Sequence, residues 1–511
     1  MSETAHSMKL DSHAPDLIEL DRAWEKRLSV NVSDAVWSRV QASRERIEKI
    51  SAGDAAVYGV NTGFGHLCTK RIDRSQIDQL QLNLVISHAV GVGPNAPDAI
   101  VRFMMLLKIQ ALAFGYSGVR TETIRRLAEF LNHDFLPIVP TQGSLGASGD
   151  LAPLAHMVLP MLGIGNVRHD GREMPATEAL AQLNCEPLVL SSKEGLALIN
   201  GTQFMLAYAA AMVVRARRLI KQADILACMS IEGLQGSIKP FAEKLHALRP
   251  HPGAIATSDN VRKMLAGSRI LEAHANCTKV QDPYSLRCVP QVHGATRQAI
   301  EHVASVVEIE IASVTDNPVI FEDGETISGG LFHGQPLAIA MDYLAIAIAE
   351  LGSICERRIF LLLDGHDGLP ELLMQETGLN SGFMLPQYTA AALVSENKGL
   401  CHPASVDSIP TSLGQEDHVS MGATAATKGW RVLDNVETVL AIEAMCAAQA
   451  LDFRAPLEPG IGVKIAHKVI REYIPHADAD RMFGEDIRCA TQLLHDKKLV
   501  AAIEKELGEL Y

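Results

Sequence analysis

Residues 143–156 read Gly-Ser-Leu-Gly-Ala-Ser-Gly-Asp-Leu-Ala-Pro-Leu-Ala-His. Neither a helical nor a strand period accounts for the first eight, which are dense in small residues. Glycines at 143, 146 and 149 permit backbone conformations that a Cβ forbids. At the centre lies Ala147-Ser148-Gly149. A sharp bend there would bring the Gly149 nitrogen to the Ala147 carbonyl carbon, since neither residue carries bulk. Ring closure with loss of water, then loss of the Ser148 hydroxyl as a second water, would leave an exocyclic methylene on a conjugated ring. None of the standard side chains supplies such an electrophile.

The same string has plainer readings. Gly/Ser-rich runs are usually loops, and a lone Ala-Ser-Gly carries little information. A serine-hydrolase elbow needs Gly-x-Ser-x-Gly, and the residue two after Ser148 is Asp150. A phosphate loop needs a Gly-Lys-Ser/Thr ending, absent here. Only the full fourteen residues of 143–156 lift the segment above a loop.

Composition sets the bounds. At about 150 residues per domain, 511 residues suggest roughly three units, or one large helical domain. Hydrophobic content of 47% against 21% charged residues is ample for a large core and compatible with burial between subunits. A formal charge of −14 argues against a nucleic-acid surface, and any anionic substrate then needs a locally placed cation. Nine cysteines without a Cys-x-x-Cys pair favour reduced thiols and a cytoplasmic setting. The opening residues lack a signal-peptide apolar core. The longest unbroken apolar stretch, 204–214, is well short of the ~20 residues that cross a bilayer, so no membrane association is expected. The histidines form no His-Glu-x-x-His or Cys/His cluster, so no metal is expected.

Residues 1–30 read as a loosely ordered opening segment, after which Ser33 can cap a helix bearing Val36, Trp37, Val40 and Ile47 on one face. Residues 57–65 read as a short strand running into a glycine-punctuated loop. Helices are predicted over 75–90 and 97–115, the second opening at Pro97-Asp98. Beyond the central loop no proline interrupts 188–239, 291–317, 337–369 or 411–455, and these stretches are rich in good helix formers. Long helices of this kind bury their apolar faces only against one another, so a bundle is expected. Residues 344–349 are apolar on every side, which suits a bundle centre or a subunit interface. The expected architecture is mainly α: a long antiparallel central helical bundle over 191–455, a smaller mixed N-terminal region over 1–190 carrying the loops, and C-terminal helices over 456–511.

Five further segments are polar and glycine-punctuated inside helical surroundings: 58–65, Asn200-Gly-Thr-Gln203, Gln281-Asp-Pro-Tyr-Ser-Leu-Arg287, 328–336 and Gln415-Glu-Asp-His418. With 143–156 they resemble the motifs of the aromatic amino-acid ammonia-lyases from about residue 55 to about 455. The histidine-acting branch matches more closely than the phenylalanine and tyrosine branches. The Gly-Ser-x-x-Met-Pro motif of the fumarase/aspartase type, which shares a helical bundle, is absent.

That resemblance implies a 4-methylideneimidazol-5-one group formed from Ala147, Ser148 and Gly149, with no diffusible cofactor. It implies non-oxidative removal of ammonia from L-histidine to give urocanate, in a homotetramer with sites shared between subunits. Tyr58 then matches the base for the β-proton; a free tyrosine, with a pKa of ~10, would need a perturbation worth roughly 4 kcal/mol to act near neutrality. Asn200 matches the residue that supports the group, and Tyr284 lines the site beside it. Arg287 matches the grip on the substrate carboxylate, for which a planar guanidinium is suited. Gln281, Phe332 and Met384 match site-lining positions, although a methionine such as Met384 is more often a core residue. His88, Gln415 and Glu416 tip the reading toward an imidazole, which carries both a donor and an acceptor. One departure is Leu331, where histidine-acting members often carry asparagine. The rivals are a tyrosine or phenylalanine ammonia-lyase, an aminomutase with the same electrophile, and an inactive helical scaffold.

Overall fold

The computed structural model describes residues 5–11, 13–52, 57, 59, 62, 72–275 and 280–511. The chain is mainly helical, as the sequence predicts. Each proline-free stretch holds one long helix: Gln203–Gly233, Val289–Ile311, Gln335–Leu363 and Gly422–Asp452. Two of them begin before their stretch, at Val289 and Gln335, and all four stop short of the next proline, because glycine and polar turns stop helices as well as proline does. Pro290 and Pro336 each stand second in their helix, where a missing N–H costs nothing.

Two compact units interleave along the chain. One comprises Met1–Val214, Ala304–Asp342 and Pro403–Thr427; the other comprises Arg215–Val303, Tyr343–His402 and Lys428–Tyr511. The three consecutive segments distinguished by sequence describe chain order, whereas the units group residues by contact.

The first unit is the mixed region. Its opening residues are ordered rather than loose: His6–Leu10 pairs in parallel with Leu28–Val32, and Leu17–Ala23 is a helix between them. The buried side chains of Met8, Leu10, Leu28 and Val30 explain why so short a ladder persists. Ser33 does precede the helix Asp34–Ala52, but its carbonyl receives the Val36 and Trp37 amides while its hydroxyl is buried and unbonded. Ile77–His88 and Asp98–Ala113 are helices, and Pro97 stands at the cap of the second. The 98–113 helix is buried on almost every face, Lys108 and Gln110 included. Tyr58 lies outside the described residues.

The second unit is built on long-helix packing. Residues 217 and 224 of one helix face Glu301 and His293 of another, so these two run antiparallel. Arg215 meets Asp434 and Glu437 while Ser230 meets Glu443, so that pair runs parallel. Gly352 lies against Val436, and Arg358 reaches Glu443, which makes a second parallel pair. The antiparallel relation expected throughout therefore holds for the 289–311 helix, while long connections let the other helices run in one direction. Three helices, Ile461–Tyr473, Phe483–His495 and Lys498–Leu507, form the tail.

One helix, Gln335–Leu363, is long and apolar enough to cross a membrane by length and composition, and most of that apolar stretch is buried as a core element. The unbroken-run criterion passes over it because Asp342, Glu350 and Glu356 punctuate it. Among the described residues none of the seven cysteines is in a disulfide.

The second unit's core is tied by a charge pair with no access to water. Arg358 donates to Glu443 through Nε at 2.5 Å and Nη2 at 2.9 Å, and the Ser230 hydroxyl adds a third bond at 2.7 Å. Removing one partner leaves an uncompensated buried charge, which costs about 3–5 kcal/mol. Glu443→Ala should therefore lower the denaturation midpoint steeply in urea melts followed by circular dichroism. A loss below about 1 kcal/mol, the range of an exposed pair, would contradict this.

Candidate active site

The tripeptide loop is bent against residues 200–201. Asp150 N donates to Gly201 O at 2.8 Å, and Gly201 N donates to Ser148 O at 3.2 Å. Backbones approach this closely because neither partner carries a side chain: a Cβ on Gly149 would stand 2.1 Å from Gly201 O. Gly149 has φ +83°, and Ser148 has φ +49°, a left-handed conformation unfavourable for an L-residue by roughly 1–2 kcal/mol. Within the bend Gly149 N donates to Gly146 O at 3.3 Å, and Ser144 Oγ donates to Gly149 O at 3.3 Å.

Asp150 anchors the end of the loop. Its Oδ2 accepts the Phe204 and Met205 amides, each at 3.0 Å, and so caps the 203–233 helix at its positive end. Burial pushes the Asp150 carboxyl up to about 7, against the opposing effect of those amides and of Lys108. Its Oδ1 is buried without a hydrogen-bond partner.

Asn200 ends the short helix Glu194–Ile199, whose first residue is itself pinned. The buried Glu194 carboxylate accepts from Arg120 Nη2 at 2.7 Å, from Arg120 N at 2.9 Å and from Ser191 N at 2.8 Å. Asn200 Nδ2 donates to Asp316 Oδ1 at 3.2 Å and Asn317 O at 3.1 Å. Two acceptors on one side fix the orientation of the amide, and its Oδ1 is buried without a partner. Asp316 Oδ2 receives Lys193 Nζ at 2.6 Å. On the backbone side, Lys108 Nζ donates to Asn200 O at 2.6 Å. Burial pulls the Lys108 ammonium down to about 7, opposed by the Asp316 and Asp150 charges and assisted by Lys193.

The remaining loops of this unit converge on the same place. Met421 N donates to Leu145 O at 2.9 Å. His333 stacks on His418 with centroids 6.0 Å apart, which joins the loop bearing Phe332 to the loop bearing Gln415 and Glu416. Gly91 N donates to His156 Nε2 at 2.9 Å, which needs that nitrogen unprotonated, in keeping with the lowering of the His156 pKa by burial. His88 is also lowered, chiefly by burial, while its bond to Leu84 and the charge of Glu416 act the other way. Burial thus favours the uncharged form of His88. Thr411 Oγ1 donates to Glu416 Oε2 at 3.1 Å and steadies that carboxylate.

The first unit thus holds Ala147, Ser148, Gly149, Asn200, His88, Phe332, Gln415 and Glu416. Gln281, Tyr284, Arg287 and Met384 belong to the second unit. There Tyr284–Arg287 is a single helical turn, and the Arg287 guanidinium lies 4.4 Å over the Tyr284 ring. Arg287 Nε donates to Asp282 O at 2.9 Å, and Tyr284 is exposed. Gln281 is exposed, and Met384 is half-buried at the start of Met384–Leu400. Lys108, Lys193 and Asp316 escape a reading by sequence alone. Only Lys108 left a signal, as the one cation within the apolar run 103–113.

The donor set suits the ring that the tripeptide would form. The bend is already present, a Cβ is excluded at Gly149, and the Gly201 N–H already donates to the Ser148 oxygen that the ring would keep as its carbonyl.

Residues 16–472 match the family model described as aromatic amino acid lyase. A histidine ammonia-lyase of Myxococcus xanthus is 48% identical, covering 97% of this chain and 98% of its own. One from Deinococcus radiodurans is 53% identical over 90% of this chain and 88% of its own. Among solved structures, histidine ammonia-lyase from Trypanosoma cruzi superposes with a TM-score of 0.90 at 40% identity, covering 98% of this chain and 95% of that one. Tyrosine aminomutase from Streptomyces globisporus gives 0.93 at 37% identity, covering 99% of this chain and 100% of that one. A model matched over most of the length and relatives near half-identical from end to end place the chain in the aromatic amino acid lyase family.

Proposed function

We propose that this lyase converts L-histidine to trans-urocanate and ammonia, the first step in breaking histidine down, using an electrophile made from its own backbone. The observation that carries the proposal is the bend of 147–149 against Gly201. The names of relatives about half identical along most of the chain support the substrate.

The loop would mature by dehydration without change of oxidation state. The Gly149 nitrogen bonds to the Ala147 carbonyl carbon, and the Ala147 oxygen leaves as water with the hydrogens of the Gly149 and Ser148 nitrogens. The Ser148 hydroxyl then leaves with the Ser148 α-hydrogen as a second water. The resulting 4-methylideneimidazol-5-one supplies an electrophile that eases departure of an otherwise poor leaving group, and no diffusible cofactor is required.

The chain's own residues hold the substrate and move its protons. Arg287 grips the carboxylate through a planar fork, and Tyr284, in contact with that guanidinium, keeps it oriented. Tyr58 is assigned the β-proton by its place in the sequence. Asn200 supports formation of the ring, its amide fixed by the bonds to Asp316 and Asn317. Phe332 and Met384 shape the wall about the ring, and Gln281 and Gln415 supply polar edges. His88, neutral, and Glu416, fixed by Thr411, pair with the imidazole.

The assembly proposed is a cytoplasmic homotetramer with shared sites. Its support on the surface is a set of exposed large apolar side chains in the second unit: Tyr343, Ile346, Phe360, Leu385 and Tyr388. Exposed apolar groups on this scale mark contact surfaces.

A phenyl ring would offer no donor to Glu416 beyond the Thr411 hydroxyl it already holds, at a cost of about 1–3 kcal/mol or more, or roughly tenfold in selectivity. Purified enzyme should produce urocanate from L-histidine, read by its ultraviolet absorbance, with turnover of L-phenylalanine and L-tyrosine lower by at least about tenfold. Equal turnover of tyrosine would move the chain to another branch, and formation of a β-amino acid would make it an aminomutase. Glu416→Gln should lose most histidine activity and narrow the preference for histidine over phenylalanine; a loss with unchanged preference would place Glu416 on the amine instead.

Ser148→Ala cannot form the methylene and should fold and assemble normally with kcat reduced by at least about 10³-fold. Retention of wild-type turnover would exclude the electrophile.

A further inference from the structure

Beneath the tripeptide loop lies a row of charged side chains to which the reaction assigns no part. Lys193 is wholly buried, and its backbone is left-handed at φ +71°. Its ammonium meets Asp316, and the other oxygen of Asp316 takes the Asn200 amide. Lys108, also buried, donates to the Asn200 carbonyl at 2.6 Å and approaches Gln203 Oε1 at 3.4 Å. A buried ion pair is often no more stabilising than apolar residues of like volume. Stability alone therefore gives no reason to bury two lysines here; what links them is Asn200, which Lys108 bonds directly and Lys193 reaches through Asp316.

Asn200 and Gly201 share one peptide plane. Lys108 bonds its oxygen, while the N–H on the opposite edge donates to Ser148 O at 3.2 Å. A cation on the oxygen polarises the peptide and strengthens the donor on its far side. Ser148 O and Gly149 N are in turn the two edges of the next plane, so pinning the oxygen turns the nitrogen into the bend, where it meets Gly146 O at 3.3 Å. On the side-chain face, Asp316 holds Asn200 by its NH2 group, with Lys193 balancing the carboxylate. Gln203, which would clash with any Cβ on Gly201, is fixed by its bond to Thr315 at 2.8 Å.

We infer that Lys108, Lys193 and Asp316 are positioning residues for maturation of the tripeptide: they hold 200–201 as the rigid template against which 147–149 bends, so that the Gly149 nitrogen faces the Ala147 carbonyl. The inference rests on the proposed dehydration and adds to it the residues on which it depends. Each acts through the backbone or amide of Asn200, Lys193 by way of Asp316.

Intact-mass measurement reads the dehydration directly, apart from activity. Wild-type chain should lack two water molecules. In Lys108→Met and Asp316→Asn, the chain retaining both waters should become the major species. The kcat per total chain should fall roughly tenfold or more, with KM for L-histidine unchanged because the matured fraction is normal. Asp316→Glu keeps the charge and the Lys193 partner but displaces the oxygen from Asn200; it should fold as wild type and still accumulate unmodified chain. It decides the matter if either other variant fails to fold. Complete dehydration and wild-type kcat in Asp316→Glu, or in a folded Lys108→Met, overturn the inference. Wild-type protein at its full unmodified mass is a separate failure, which removes the dehydration reading itself.

Discussion

Two backbone hydrogen bonds, Asp150 N to Gly201 O and Gly201 N to Ser148 O, are the constraint on which the rest of the first unit depends. They require two chain segments to run nearly in contact, and glycine at 149 and 201 is what permits it. Ser148 then sits in a left-handed conformation that it would not adopt alone. The local cost is met by surroundings that over-determine the loop. Asp150 is fastened to the start of a 31-residue helix, and Leu145 is fastened to Met421 at the start of another. Long helices here serve as fixed posts, and the reactive segment is strung between their ends.

The polar atoms around that segment are deeply buried, which raises what each hydrogen bond and charge is worth. Burial also brings the Lys108 ammonium and the Asp150 carboxyl both to about 7, where an ordinary lysine would hold its proton and an ordinary aspartate would release it. Groups perturbed this far tend to cluster at functional sites. In the second unit the same economy of buried charge has a purely structural outcome, since Arg358 and Glu443 satisfy each other and Ser230.

Much of this was legible in the sequence, for reasons that differ by element. Proline marks where helices cannot run, so the four long helices and the start at Pro97-Asp98 follow from punctuation alone. The glycines of 143–149 betray a loop that must bend, because no other residue needs to be so permissive so often. The opening thirty residues were opaque: a five-residue parallel ladder has too short a pattern, and only burial of Met8, Leu10, Leu28 and Val30 makes it stable. Lys193 and Asp316 were opaque for another reason. They lie 123 residues apart, and each alone is an ordinary charged residue in a polar segment. Their meaning comes from sharing Asn200, which is a fact of tertiary structure. Helix direction was likewise hidden, because long connections leave it open.

The central claim is that the protein makes its own electrophile from 147–149. A crystal structure at atomic resolution tests it most directly, since bonded and non-bonded approaches of the Gly149 nitrogen to the Ala147 carbon are then separable by eye in the density. The account predicts a closed planar five-membered ring with a methylene in place of the Ser148 hydroxymethyl. An open tripeptide that keeps both the Ala147 oxygen and the Ser148 hydroxyl, in enzyme that turns over L-histidine, would contradict it.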